Sequence, residues 1–283
     1  MSQWSDSPIQ ENSPVSGSRI LFSIFAGSSV KKRFLISILI TAFCFCGTTA
    51  HCFDDDPALS TDGLHASIQH EVDSPDWVKA LPAAQDPDTR QLFIAAGLGP
   101  DQTAASISMH ERDENGSWKQ ILSTPGFIGL NGMVRDAEHR EGCAQTPIGT
   151  YRFNKAFGLA DDPGCSIPYI KADEYTWWSG DDREGMHYNE MIDIREFPDL
   201  DKTNSEHITD YEYQYQYCLN ISFNEEGAPG RGSAIFLHCL GPLKPYTGGC
   251  IAVPENIMML IMQKVSADCV VVIDTLESLG GYF

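Results

Sequence analysis

From Tyr211 to Phe223 the chain alternates with a strict period of two. Tyr211, Tyr213, Tyr215, Tyr217, Leu219, Ile221 and Phe223 fall on odd numbers, while Glu212, Gln214, Gln216 and Asn220 hold the even side. Successive side chains of a strand point to opposite faces, so this pattern predicts one long strand with a buried face and a wet face. The tyrosines on the buried side read as core or as the wall of a groove. Shorter runs point the same way. Leu92 to Gly97 is an apolar strand, and Ala104 to Glu111 alternates before an Asn115-Gly116 hairpin turn from which Trp118 to Leu122 returns. Tyr151 to Phe153 follows a predicted turn at Thr146-Pro-Ile-Gly149, Ala234 to His238 is a further strand, and Cys269 to Asp274 is a closing buried one. Pro254 to Val265 is the convincing helix, with proline in its first turn and Ile257, Leu260, Ile261 and Val265 at helical spacing. A weaker helical stretch lies near Trp77 to Leu81. The expectation is a mainly β domain with few helices over residues 91–283, preceded by a polar lead-in over residues 51–90.

Residues 1–50 have a different texture. Val30-Lys-Lys-Arg33 precedes an apolar run from Phe34 to Cys46, and small residues follow to Ala50. A basic start, an apolar run of about a dozen residues and a small-residue exit form the layout of a secretory signal, shorter than the ~20 residues of a spanning helix. The expectation is export to the periplasm or cell exterior, with cleavage after about Ala50. The alternative is a membrane anchor through residues 34–46. Residues 1–29 are rich in Ser, Pro and Gly and unlike the start of a signal, which suggests translation from near Val30.

The formal charge is −20. The first fifty residues carry four cations (Arg19, Lys31, Lys32, Arg33) against Asp6 and Glu11, so the remainder carries −22. Nucleic-acid binding needs clustered Lys and Arg to neutralise phosphates, so no nucleic-acid partner is expected. The nine cysteines are Cys44, Cys46, Cys52, Cys143, Cys165, Cys218, Cys239, Cys250 and Cys269. Removing the first two with a signal leaves seven, which in an oxidising compartment fits up to three disulfides and one thiol left over. The spacings contain no CxxC, so neither a zinc ribbon nor a thioredoxin-like motif is suggested.

Two segments carry chemistry. Gly232-Ser-Ala-Ile-Phe-Leu-His238 delivers a histidine at the end of a strand, and Thr247-Gly-Gly-Cys250 puts a cysteine behind two glycines just ahead of a helix. A thiol attacks a carbonyl as its thiolate, and a neighbouring imidazole is the usual means of generating it. Glycines before the cysteine allow close backbone approach, and their N–H groups with that of Cys250 can face a developing oxyanion. Cys239, beside the histidine, points to the opposite strand face and reads as a buried thiol or a disulfide partner.

Thr146-Pro-Ile-Gly-Thr-Tyr151, Gly232-Ser-Ala-Ile-Phe-Leu-His238 and Thr247-Gly-Gly-Cys250, in that order, resemble the YkuD-type L,D-transpeptidase domain. The resemblance covers roughly Gln91 to Asp274. Trp177-Trp178, Asp181-Asp182 and Tyr188-Asn189 are also similar to a segment of secreted members. It implies a β-sandwich-like catalytic domain, Cys250 as nucleophile and His238 as general base and acid. Thr247, Gly248, Gly249, Trp178 and Tyr188 are the implied oxyanion or substrate-binding residues. The partner implied is a peptidoglycan stem peptide, attacked at the bond before its terminal D-Ala, with neither metal nor organic cofactor. The acceptor of the thioester stays open among a second stem, water, a lipoprotein lysine and a free D-amino acid. Two departures stand out: Gly248 holds a position often occupied by His, and Ile251-Ala252 replaces a basic or amide residue after the cysteine. The alternatives are an L,D-carboxypeptidase of the same chemistry and a catalytically silent wall-binding module with Cys250 tied into a disulfide.

Other candidates are weaker. His187 is a second candidate base. Asp193 or Glu196 could orient a histidine. Asp161-Asp162 and Asp181-Asp182 read as solvated loop charges rather than as glycosidase carboxylates. Trp177 and Trp178 read equally as core or as a platform against glycan.

Overall fold

A computed structural model describes residues 71–242 and 244–282. The expected signal or anchor, the expected translation start and Cys44, Cys46 and Cys52 lie outside the described residues. Among the described residues no helix is long and apolar enough to cross a membrane.

The lead-in contributes β1 (Val72–Asp73), α1 (Asp76–Lys79) and α2 (Pro82–Gln85). Then come β2 (Gln91–Gly97), β3 (Ala104–Arg112), β4 (Trp118–Phe127), β5 (Met133–Arg135) and β6 (Thr146–Gly158). The next segment holds β7 (Tyr169–Lys171), β8 (Thr176–Trp178), β9 (Met191–Asp193) and β10 (Glu206–His207). The chain finishes with β11 (Cys218–Ile221), β12 (Phe236–Cys239), β13 (Ile251–Val253), α3 (Glu255–Lys264) and β14 (Val270–Thr275). The mainly β architecture with few helices agrees with the sequence. In addition, the large sheet closes on itself. Its order is β4-β13-β12-β11-β6-β14-β2-β3, and β3 pairs back to β4 along nearly its whole length. Closure leaves the ring without a bare edge strand. A separate three-stranded sheet, β10-β8-β9, belongs to the long excursion between β7 and β11.

Alternation sorts the side chains. Phe93, Ile107, Leu122, Phe153, Leu219, Leu237, Ile251 and Val271, one from each ring strand, form one buried cluster with Ile257, Met258 and Ile261 of α3. Fully burying a side chain of this size contributes about 1.5–3 kcal/mol, so this cluster is the main source of stability. The opposite face of β2 and β14 (Leu92, Ile94, Val270, Val272) is covered by Val78 and Leu81 of the lead-in. A third cluster joins Phe157, Trp178, Tyr215, Cys218, Phe236 and Cys250 on the outer face of β6, β11 and β12.

Two expected elements differ. The predicted strand from Tyr211 is paired only over Cys218–Ile221, and Gln214–Gln216 is a 3₁₀ turn. Residues four apart share a helical face as well as a strand face. Here Tyr215 N–H donates to the Tyr211 carbonyl at 2.8 Å, and the two rings lie 4.6 Å apart. The carbonyls of Tyr215 and Gln216 then accept the N–H groups of Leu159 and Ala160, so tertiary bonds replace the ladder. The predicted turn at Thr146-Pro-Ile-Gly149 is instead the start of the 13-residue β6, because β5 supplies a parallel partner for Thr146, Pro147 and Ile148.

Candidate active site

Cys250 and His238 reach the same face of the sheet through register. β12 and β13 run parallel, with Leu237 opposite Ile251 and His238 opposite Ala252. Leu237, Cys239, Ile251 and Val253 therefore point into the core, while Phe236, His238, Cys250 and Ala252 point outward. Both residues line a cavity of ≈ 660 Å³ together with Trp178, Glu206, Tyr211 and Tyr215. That volume suits a drug- or peptide-sized ligand.

Cys250 is 7% exposed. Its thiol donates to the Ala234 carbonyl at 3.1 Å and accepts the Phe236 N–H at 3.3 Å. Ala234 adopts a left-handed φ of 55°, a strained choice for a side chain with a Cβ. Asn189 holds it there by accepting its N–H at 3.0 Å, while also accepting Trp178 Nε1–H at 3.0 Å. The left-handed turn is also why β12 starts at Phe236 rather than at Ala234 as the apolar run predicted.

His238 donates Nδ1–H to the carbonyl of Cys239 at 2.8 Å. That bond fixes the tautomer and leaves Nε2 as the acceptor. The ring of Tyr215 packs edge-on against it, 5.6 Å away at 70°. Burial pushes the imidazole down to about 4, opposed by the Cys239 bond. Burial also pushes the Cys250 thiol up to about 12; the Glu206 charge adds to the rise and the Phe236 N–H opposes it. The resting pair is therefore neutral thiol and neutral imidazole, not the preformed thiolate that the sequence argument favours.

The turn before Cys250 is pinned from two sides. Thr247 Oγ1 donates to the Cys250 carbonyl at 2.7 Å and accepts the Gly249 N–H at 3.1 Å. Thr146 Oγ1, fully buried, donates to the Gly249 carbonyl at 2.7 Å and accepts the Gly129 N–H at 2.9 Å. Gly249 has φ of 141°, and a Cβ there would meet the Gln145 carbonyl at 2.9 Å. Its N–H is engaged by Thr247, so it is not an oxyanion donor. Gly248 and Cys250 line the cavity and retain that capacity, and a Cβ at Gly248 would meet nothing within 4 Å.

Of the remaining expected site residues, Trp178 lines the cavity but is 1% exposed, stacked on Phe157 at 5.9 Å. Trp177 stacks instead on His207. Tyr188 does not line the cavity. Its hydroxyl donates to Glu141 and accepts the Gly232 N–H, which braces the segment leading to β12. His187 pairs with Glu190 and packs on Phe197, outside the cavity, so it is not placed as a base. Asp193 is bound by Arg195, and Asp161 by Lys171. Asp181 is buried rather than solvated: Arg183 and the Asp201 N–H hold its carboxyl well below the usual range. All six described cysteines are free thiols, so the expected disulfides are not formed among the described residues. Cys239 is a buried thiol facing the core.

Glu206 is the site residue that the sequence did not disclose. It lines the cavity and accepts Tyr215 O–H at 2.6 Å. It lies in the polar stretch Thr203-Asn-Ser-Glu-His-Ile-Thr209, where no periodicity or motif separates it from a surface carboxylate. Thr146 was legible only as part of the family-like motif.

Among solved structures, the chain is similar to the helical cell shape determining protein Pgp2 from Campylobacter jejuni. The TM-score is 0.36 and the identity 14%, over 71% of this chain and 54% of that one, so the chain spans about half the length of that protein. No protein-family model matches the chain, and no curated protein matches it.

Proposed function

We propose that this chain is an exported, YkuD-type peptidoglycan L,D-transpeptidase that works through a Cys250 thioester in the periplasm or outside the cell. The observation that carries this reading is the convergence of a buried thiol and an imidazole with a bare Nε2 on one face of the β12–β13 pair, in one peptide-sized cavity. The motif order around Thr146, His238 and Cys250 supports it.

A neutral pair calls for proton transfer during attack. As Sγ adds to the carbonyl ahead of the terminal D-Ala, Nε2 of His238 takes the thiol proton; the Nδ1–H bond to Cys239 then steadies the imidazolium. The oxyanion is met by N–H groups of Gly248 and Cys250, each such donor contributing about 3 kcal/mol. The C–N bond breaks as the imidazolium returns its proton to the leaving amine. The thioester passes to an acceptor amine and restores the thiol.

The test is the full chain incubated with disaccharide-tetrapeptide, products being read by mass, beside Cys250→Ala and His238→Ala. Release of D-Ala with a cross-linked dimer, and inert variants, is the expected result. Release without dimer would make the enzyme an L,D-carboxypeptidase. No Cys250-dependent change would refute both.

A further inference from the structure

The carboxyl of Glu206 enters the same cavity as the thiol, yet neither proton transfer of the first half-reaction uses it. Its Oε2 accepts the Tyr215 hydroxyl at 2.6 Å, and Tyr215 in turn packs against the His238 ring. Among the described residues, no hydrogen bond from the protein reaches Oε1. The carboxyl is thus fixed at one oxygen and open at the other, between the aromatic walls of Tyr211, Tyr215 and Trp178. Aromatic faces and a carboxylate are the two groups that attract an ammonium.

We propose that Glu206 is the catalytic base for the second half-reaction: it binds the acceptor amine as its ammonium and removes the proton that blocks attack. The proposal rests on the transpeptidase reading of the site. A primary amine reaches the enzyme at neutral pH as R–NH₃⁺, which has no lone pair to add to a thioester. Transfer of one proton to the Glu206 carboxylate gives R–NH₂ and a carboxylic acid. The amine nitrogen adds to the thioester carbonyl and gives its second proton to Nε2 of His238. The C–N bond is then complete, the C–S bond breaks, and the departing sulfur recovers that proton from the imidazolium. Glu206 returns its own proton to solvent.

The groups sharing the cavity with Glu206 include Glu141, Lys244, Tyr211, Tyr215, His238 and Cys250. Burial pushes the carboxyl up to about 7, the Tyr215 hydrogen bond opposes that rise and Glu141 adds to it, so the group exchanges its proton near neutrality. A base with that affinity suits an ammonium better than an ordinary carboxylate does.

The experiment compares full-length wild type with Glu206→Gln on disaccharide-tetrapeptide, scoring D-Ala release and the ratio of dimer to hydrolysed tripeptide. E206Q is expected to release the first-turnover equivalent of D-Ala within a few-fold of the wild-type rate while its dimer ratio falls about a hundredfold at pH about 7. Near pH 10 a large share of the free amine is already neutral in solution, and the two ratios are expected to draw together. Wild type that makes dimers with an unchanged ratio in E206Q overturns the role of Glu206 and leaves the transpeptidase intact. Wild type that releases no D-Ala overturns the transpeptidase reading itself, and this one with it. If E206Q loses D-Ala release too, Tyr215→Phe carries the test by freeing the same carboxyl. A severalfold fall in dimer ratio with release retained supports the assignment, and an unchanged ratio overturns it.

Discussion

Two buried histidines in this molecule sit beside a nucleophile-type side chain, and they have opposite fates. His110 on β3 is sealed, with Nδ1 against the Ser74 hydroxyl at 2.8 Å and Nε2 against the Ser108 hydroxyl at 2.9 Å. His238 on β12 has Nδ1 on a backbone carbonyl, and its other nitrogen shares a cavity with a thiol. Burial lowers both imidazoles to about 4, so neither titration nor desolvation separates them. What separates them is a nitrogen left over and a space for a substrate atom beside it. A serine–histidine contact of good length is a bracket between β3 and the segment after β1 in the first case; in the second, an unbonded nitrogen on a shared cavity has room for chemistry.

The sharpest way to break this comparison is to remove each ring. His238→Ala is expected to lower D-Ala release about 10³-fold, the usual worth of a positioned base, while His110→Gln leaves turnover per folded molecule within about twofold. Steady-state rates normalised to folded protein decide it, and equal losses would mean that His238 also acts only through the fold.

The neutral-pair state of the site can be checked next. With the thiol pushed up to about 12, alkylation of Cys250 by iodoacetamide should climb about tenfold per pH unit from pH 7 to 10. Peptide mapping isolates Cys250 from the other thiols. A plateau reached below pH 8 would show a preformed thiolate–imidazolium pair instead.

A smaller effect sharpens the role of His110. Its folded affinity for protons lies below its unfolded one, so its contribution to stability is present above about pH 6.5 and is lost as pH falls toward 4. By linkage the loss reaches about 3 kcal/mol, and His110→Gln should remove that part of the acid slope in denaturant titrations. An unchanged slope would leave His110 out of the acid response. Smallest is Thr146→Val, which leaves the Gly249 carbonyl and the Gly129 N–H without their hydroxyl partner and should cost about 1–3 kcal/mol of stability by the same titration. A loss under half of that would mean that Thr247 alone pins the turn.

How much was legible follows the same division. The strands of the ring were readable because their alternation serves a local rule, and β2, β3, β12 and β14 appear within a few residues of their expected bounds. Helix α3 was readable from Pro254 and the spacing of Ile257, Leu260 and Ile261. Cys250 and His238 stood out as candidates because their neighbours, two glycines and a strand end, are themselves unusual. Tyr211 to Tyr217 misled because a period of two also satisfies a helical turn, and only the partners Leu159 and Ala160 decide between them. Glu206 was hidden because nothing local marks a carboxylate that a distant tyrosine will turn inward. Disulfides were expected from the number of cysteines, whereas Cys218, Cys239 and Cys269 are buried as small apolar side chains.

The ring of strands closes between β13 and β4 through one paired position, Ala252 with Phe127, flanked by the bridge of Gly129 with Thr247. A wall stitched this sparsely has far fewer ladder positions than the long β3–β4 pairing on its other side. The seam lies two residues beyond Cys250 and runs along the turn that carries it. The sparsest stitching of the ring thus borders the cavity that Cys250 and His238 line, away from the long pairings that hold the core.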